Sequence, residues 1–533
     1  MSTNLSKIID LINTGSYQKA ELILRPLISK DPESFALNKA LGVCLMSQYK
    51  YIDAINAFKI CAANSKNDYD VLVNLSFLYV KIQDYKNSLQ LSSDALTLND
   101  QRPEAYNNIA ECYFYLNEFT KAEQNILISI EKRGGLNSIK ILSFIDTLVL
   151  YADILLALNK KDQFLEFCYG ILDEGNHIDE LLIRILRLDI NYIKDKHIEN
   201  LKKILSNINK IRPLVQKNIA EANAYFFLGE YLEKKDKTKS EDYIIKANKI
   251  IASMQRDSLF KRQNKIKSII DAFNKFNINE VKEKINPKKG EGLIFIIGMP
   301  RSGTTLLESI VSTANDCQAG GERLFFTLEC NAIIDGPIEK SLDQKFFNSL
   351  GDRYLEIIDI QKNGKKFYID KLPGNYEFYK FINLSLPAAK FIHIYRDPWD
   401  NAISLFKQNY ITNLFYASSF FGIAMEYANY ERLMNFWKKI ENNKNIFFDV
   451  NYEDLVNQTE NVVTKIWEFC GLNGNYDNDK RKEHFSITAS KNQIKRDIYK
   501  SSVKKSDFLS YKEQFHIDLD NQRHYWENIN KIN

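Results

Sequence analysis

Two rhythms of apolar residues run along this chain. Through roughly the first 280 positions they recur three or four apart, the spacing of a helix face, as in LSFIDTLVLYADILLAL and EANAYFFLGEYLE. From Leu293 the rhythm becomes short continuous runs: LIFII (293–297), KFYID (366–370), KFIHIY (390–395) and NIFFDVNY (445–452). Each run is followed by a polar turn and a helical stretch. Buried strands alternating with helices predict a parallel sheet in an α/β domain. The predicted fold is an all-α solenoid followed by an α/β domain with a central parallel sheet.

Within the helical half a period is visible by subtraction. Tyr17, Tyr51, Tyr85 and Phe119 are each 34 residues apart, and Ala20, Ala54, Ser88 and Ala122 keep the same interval. Leu41-Gly42, Leu75-Ser76 and Ile109-Ala110 give a third register. Each unit reads as two helices with a small residue where they cross and an aromatic at the turn. This spacing resembles the tetratricopeptide repeat family, securely over 1–135 and in blurred register over 136–280, read as divergent helical hairpins continuing the stack. Such a solenoid offers a curved surface suited to holding an extended protein or peptide partner. NEVKEKINPKKGEG, with Pro287, Gly290, Gly292 and clustered lysines, predicts a linker over 281–292, leaving 293–533 for the α/β domain.

Composition narrows the field. Hydrophobic residues make up 45% and charged residues 26% of the 533 positions, and 72 Lys and Arg against 68 Asp and Glu leave +4. That balance argues against a nucleic-acid packaging protein or a polybasic membrane binder. No charge-free apolar stretch reaches the length of about 18 residues that a membrane span needs, and the N-terminus lacks a signal-peptide pattern. The seven cysteines form no CxxC pair and the six histidines no HxxxH, so no metal site is expected and the cytoplasm is the expected compartment.

The chemistry is concentrated after the first apolar run. Gly298-Met299-Pro300-Arg301-Ser302-Gly303-Thr304-Thr305 joins strand to helix, an arrangement in which glycines let the backbone wrap an anion and helix amides point at it. A nucleotide triphosphatase loop reads GxxxxGK[ST], whereas Thr304 stands here at the lysine position. The string PRSGTT after an apolar strand is similar to the 5′-phosphosulfate loop of sulfotransferases that use 3′-phosphoadenosine 5′-phosphosulfate (PAPS) and release adenosine 3′,5′-bisphosphate. Arg301, Ser302, Gly303, Thr304 and Thr305 would then hold the donor. FIHIYRDPWDNAISLFKQNY repeats the strand–turn–helix form, and Arg396 and Ser404 resemble the family's 3′-phosphate pair.

The same resemblance implies the catalytic residues. Glu322 in AGGERLFF is similar to the base glutamate of tyrosylprotein sulfotransferases, and Lys371 in DKLPGNY matches the family's DK segment. Lys371 would meet charge on the leaving phosphate's bridging oxygen, and Arg301 charge on the sulfuryl group. Tyr452 in VNYEDL is similar to a tyrosine near the nucleotide. ASKNQIKRDIYKSSVKK resembles a late segment that would place Ser490 near the transferring group and Lys505 near the 3′-phosphate. Where many relatives have arginine–tryptophan, this chain has Lys505-Ser506. His393, inside a strand, is expected to pack against the sheet. The two halves together resemble a bacterial tetratricopeptide-repeat sulfotransferase acting, without a metal, on a hydroxyl of a protein or peptide tyrosine or of a glycan. Two other readings are a P-loop kinase or nucleotide hydrolase, and a non-catalytic repeat scaffold whose second domain binds nucleotide.

Overall fold

The computed structural model describes residues 2–65, 67–136, 144–173, 179–207, 214–254, 258–334, 338, 342–410, 414–441, 445–474, 476–483 and 507–532. The chain divides into two compact units, Met1–Leu181 and Leu182–Asn533.

The first unit is a series of helical hairpins: Ser2–Asn13 with Tyr17–Ile28, Phe35–Ser47 with Tyr51–Asn64, Tyr69–Lys81 with Tyr85–Leu98, and Glu104–Tyr115 with Phe119–Lys132. The periodic aromatics are thus the first residues of the second helices. Ala20, Ala54, Ser88 and Ala122 are fully buried at the crossings, and a Cβ on Gly42 would lie 2.6 Å from the Phe58 ring. The turns hold a fourth 34-residue register. Gly15, Tyr49, Gln83 and Asn117 all adopt left-handed backbone, and the residue after each sends its amide back to the preceding helix, as Lys50 does to Leu45 at 2.9 Å and Glu118 to Tyr113 at 2.8 Å. Ile145–Ala157 and Lys161–Asp173 close in the same way through Asn159, which carries the hairpin pattern beyond the clear sequence register.

In the second unit five strands form one sheet: β1 Leu293–Gly298, β2 Cys317–Ala319, β3 Phe367–Lys371, β4 Lys390–Tyr395 and β5 Phe447–Asn451. Their order is β2-β3-β1-β4-β5 and every pairing is parallel, with Ile296 opposite Lys371 and Gly298 opposite Ile394. Side chains alternate between two cores. Phe295 and Phe391 face one, and Ile294, Ile296, Ile392 and Ile394 face the other. The chain leaves β1 toward β2 and leaves β4 toward β5. The strand order therefore reverses between β1 and β4, where open α/β sheets leave a crevice beyond the strands' C-terminal ends.

Helices Leu214–Leu232, Lys237–Ser253 and Ser258–Lys275, expected to continue the repeat stack, share a core with the sheet: Phe226, Ile244, Ile251, Ile266 and Phe273 join the cluster that holds Phe295 and Trp437. Their apolar faces find partners in the second unit, so local periodicity does not reveal where they belong. The stretch expected to be a linker is packed as well. Lys289 pairs with Asp352 at 2.7 Å, and a Cβ on Gly290 would lie 2.8 Å from Leu386. Among the described residues, no helix is long and apolar enough to cross a membrane.

Candidate active site

The residues singled out after β1 and β4 meet at this crevice. Gly298 ends β1, and a Cβ there would run into the Ile394 carbonyl of the neighbouring strand. Arg301 then adopts a left-handed backbone at φ 67° and Gly303 one at φ 105°, and helix Thr304–Val311 begins. This tight path turns the loop back over the strand end and directs the helix's first amides into it. Ser302 is buried, and its hydroxyl has no hydrogen-bond partner among the described residues. Thr304 and Thr305 are buried in the first helical turn.

The β4 side closes the cradle. Asp397 caps helix Pro398–Phe406 by accepting the Asp400 amide at 2.9 Å, with Pro398 at the first helical position. This fixes Arg396 at the strand end and Ser404 on the helix. Arg301 Nε donates to Ser404 Oγ at 3.2 Å, joining the two motifs. The Arg396 guanidinium stacks 4.4 Å from the centre of the Tyr452 ring, and that ring covers Gly303 where a Cβ would be. Asn401, which the motif reading passed over, donates to the Pro300 carbonyl at 3.0 Å and so ties the helix to the loop.

On the β3 side Lys371 is fully buried and donates to Glu322 Oε1 at 2.7 Å. The Glu322 side chain keeps 41% of its surface accessible, so the pair joins a sheltered ammonium to a carboxylate open to solvent. Glu322 reaches this place because the chain continues from β2 along β3: the Gly320 amide donates to Ile369 O at 2.8 Å and the Lys371 amide to Gly321 O at 2.9 Å. A further carboxylate, Glu308, is buried on the loop's helix, with Oε2 3.9 Å from the Lys371 ammonium. Its only sequence signal is a lone charge inside TTLLESIV. Asp370 is buried next to Lys371. Burial pushes its carboxyl up to about 7, although Tyr354 donates to it at 2.7 Å.

A helix read as part of the repeat also reaches this region. Asn223 and Glu230, seven residues apart on Leu214–Leu232, share a face. Asn223 accepts from Asn409 at 2.6 Å, and the next turn's Glu233 pairs with Lys407. Glu230 lies 4.0 Å from Arg187. Burial pushes the Glu230 carboxyl up, with Arg187 and Arg301 among the charges acting on it. Burial likewise pushes the Tyr410 phenol up, within electrostatic reach of Arg301, Glu322 and Arg187. Sequence patterns gave no hint of Arg187, Glu230 or Tyr410.

Two expectations lie apart from this cluster. Ser490 and Lys505 fall outside the described residues. His393 is buried against the sheet, its Nδ1 2.6 Å from Asp449 Oδ1 and its Nε2 bonded to the Tyr430 hydroxyl, and burial lowers its pKa. Among the described residues no group of three or more His, Cys, Asp or Glu is placed to hold a metal ion.

Residues 294–477 match the family model described as the sulfotransferase family. An uncharacterized protein of Aquifex aeolicus is 27% identical over 365 residues, 63% of this chain and 46% of that protein. BBSome complex member BBS4 of Xenopus tropicalis is 29% identical over 101 residues, 19% of this chain and 20% of that protein. The chain therefore spans less than half the length of the curated relatives it matches. A crystal structure of a tetratricopeptide repeat protein from Parabacteroides merdae is 18% identical and covers 47% of this chain and 92% of its own, with a TM-score of 0.33. The sheet and the cradle thus lie in the stretch that matches the sulfotransferase family, 294–477, preceded in the same chain by a tetratricopeptide-like array of helical hairpins.

Proposed function

We propose that this protein is a sulfotransferase that moves a sulfuryl group from PAPS to an acceptor hydroxyl. The observation that carries the reading is the Lys371–Glu322 contact of 2.7 Å at the end of β3, beside the strand that feeds the Arg301 loop. The cradle fits a sulfated nucleotide. The Ser302 hydroxyl is buried with hydrogen-bonding capacity to spare, Gly303 keeps the floor open beneath Tyr452, and Arg301 is the loop's cation. In this reading Ser302, Gly303, Thr304 and Thr305 hold the 5′-phosphosulfate, and Arg396 and Ser404 the 3′-phosphate, with Tyr452 stacked beneath Arg396. Ser490 and Lys505 are proposed, from the sequence, for the transferring group and the 3′-phosphate.

The donor supplies an activated sulfuryl group, whose bond to phosphate oxygen breaks as the acceptor's oxygen bonds to sulfur. Glu322 takes the acceptor's hydroxyl proton. Lys371 meets the negative charge left on the phosphate's bridging oxygen, and Arg301 shares that on the sulfuryl oxygens. The crevice wall bearing Arg187, Glu230 and Tyr410 receives the acceptor, a protein or peptide tyrosine or a glycan hydroxyl. The hairpin array is the surface for a protein or peptide partner. We place the reaction in the cytoplasm, as the reducing compartment that seven cysteines without a disulfide suit.

The test separates binding from chemistry. Glu322→Gln keeps affinity for adenosine 3′,5′-bisphosphate near the wild-type value while sulfuryl release falls by about 10²–10⁴-fold, the scale of a lost general base. An unchanged rate would move the base elsewhere.

A further inference from the structure

Lys371 is completely buried, and a buried ammonium requires a counter-charge at every stage of a reaction. Two carboxylates face it, Glu322 at 2.7 Å and Glu308 at 3.9 Å, and they differ in kind. Glu322 is 41% accessible and, in the proposed reaction, loses its charge when it takes the acceptor's proton. Glu308 is 1% accessible, and its other oxygen accepts the Gly321 amide at 2.9 Å. Gly321 in turn accepts the Lys371 amide through its carbonyl at 2.9 Å and immediately precedes Glu322. One buried carboxylate thus holds the backbone that carries the base and faces the head of the lysine, from the helix whose first turn lines the cradle. A movement of the ammonium by about 1 Å would bring Glu308 within hydrogen-bond distance.

We propose that Glu308 is a positioning residue for sulfuryl transfer. It is the fixed counter-charge that holds the Lys371 ammonium in place beside Glu322 once Glu322 is neutralised, and it pins the Glu322-bearing strand end to the cradle helix. Glu322 alone cannot serve both purposes, because the carboxylate that accepts a proton ceases to balance the lysine at the moment charge builds on the leaving group. The inference rests on the PAPS-dependent reading above.

The test uses the full chain and labelled PAPS, with water as the acceptor and released sulfate as the signal. Glu308→Gln preserves size and an oxygen for the Gly321 amide but removes the charge. Affinity for adenosine 3′,5′-bisphosphate, measured by calorimetry, should stay within about threefold of wild type. Sulfate release should fall by at least about tenfold. In a Lys371→Met background the same substitution should cause no further loss, because Glu308 acts through the lysine. Wild-type release from Glu308→Gln overturns the proposal. So does an equal additional loss in the Lys371→Met background, or a loss of bisphosphate binding, since either marks a merely structural role. If the unmutated protein neither binds the bisphosphate nor releases sulfate, the underlying reading fails instead, and the two failures are told apart in the wild type.

Discussion

Asp370 and Lys371, neighbours on β3, are both buried but meet different fates. Lys371 has carboxylates to balance it, whereas the Asp370 carboxyl is pushed up by burial to about 7 from an ordinary 3.8. A folded-state pKa above the unfolded one stabilises fully below about 3.8, and that contribution is lost as pH rises toward about 7. Asp370→Asn, which cannot ionise, should therefore gain melting temperature relative to wild type between about pH 5 and about pH 8; a gap that does not change with pH would contradict this. Arg301 combines left-handed backbone with a bond to Ser404, holding a long cation over the strand end. Arg301→Ala should abolish transfer while the fold melts normally, and near-normal turnover would show the loop assignment to be wrong. Arg301 was legible as a candidate because a strand, a glycine-spaced loop and a helix follow one another in sequence, and Lys371 only through the resemblance of DKLPGNY. Glu308 was not, because its importance depends on Gly321 and Lys371, which only the sheet brings beside it.

At the scale of elements, the helical hairpins depend on close approach. Gly42→Ala places a methyl against the Phe58 ring and should destabilise the first unit by about 1–3 kcal/mol, read by chemical denaturation. Stability within error of wild type would mean that the hairpin opens freely at this crossing. In the second unit Arg262, on helix Ser258–Lys275, bonds both Glu377 and Glu426, and Lys265 pairs with Glu377 at 2.8 Å. Burial alone would raise the Glu377 pKa, but Arg262 and Lys265 outweigh it and hold it down to about 2. That stabilisation is present above the ordinary 4.5 and is lost as pH falls toward about 2. Arg262→Met leaves Glu426 buried without its arginine, while Lys265 still pairs with Glu377. Because 24% of the arginine side chain is accessible, the cost should sit at the low end for a broken buried pair, about 3 kcal/mol. The variant should also lose less stability in acid than the wild type does, because Lys265 alone then holds the Glu377 carboxyl down. The four long strands could be read from apolar runs, but β2 could not: Cys317–Ala319 is three residues with no apolar run, a strand only because β3 offers an edge. Tyr49 and Gln83 adopt backbone that glycine usually takes, so the turn register went unseen although the aromatic register was plain.

At the scale of the whole chain, the change from helical to strand rhythm near Leu293 marks where the sheet begins but not where the second unit begins. That boundary falls after Leu181, because helices 214–275 bury their apolar faces in the core beneath β1. An amphipathic helix announces that it needs a partner without saying which one. Asn223 bonds Asn409 and Glu230 feels the charge of Arg301, so in the proposed reaction changes on helix Leu214–Leu232 should alter acceptor use before they alter donor affinity. The loop carries Thr304 where a triphosphate loop has its lysine, and a sulfuryl group needs no bridging metal for its charge. Turnover should therefore survive EDTA, and strict magnesium dependence would favour a kinase. A cradle for a sulfated adenylate with an additional ribose phosphate can be probed by isothermal titration of the intact protein with adenosine 3′,5′-bisphosphate and, separately, with ATP. Saturable binding of the bisphosphate, weakened by Arg396→Ala, is expected, with no comparable heat from ATP. Tight, magnesium-dependent ATP binding with none of the bisphosphate would contradict it.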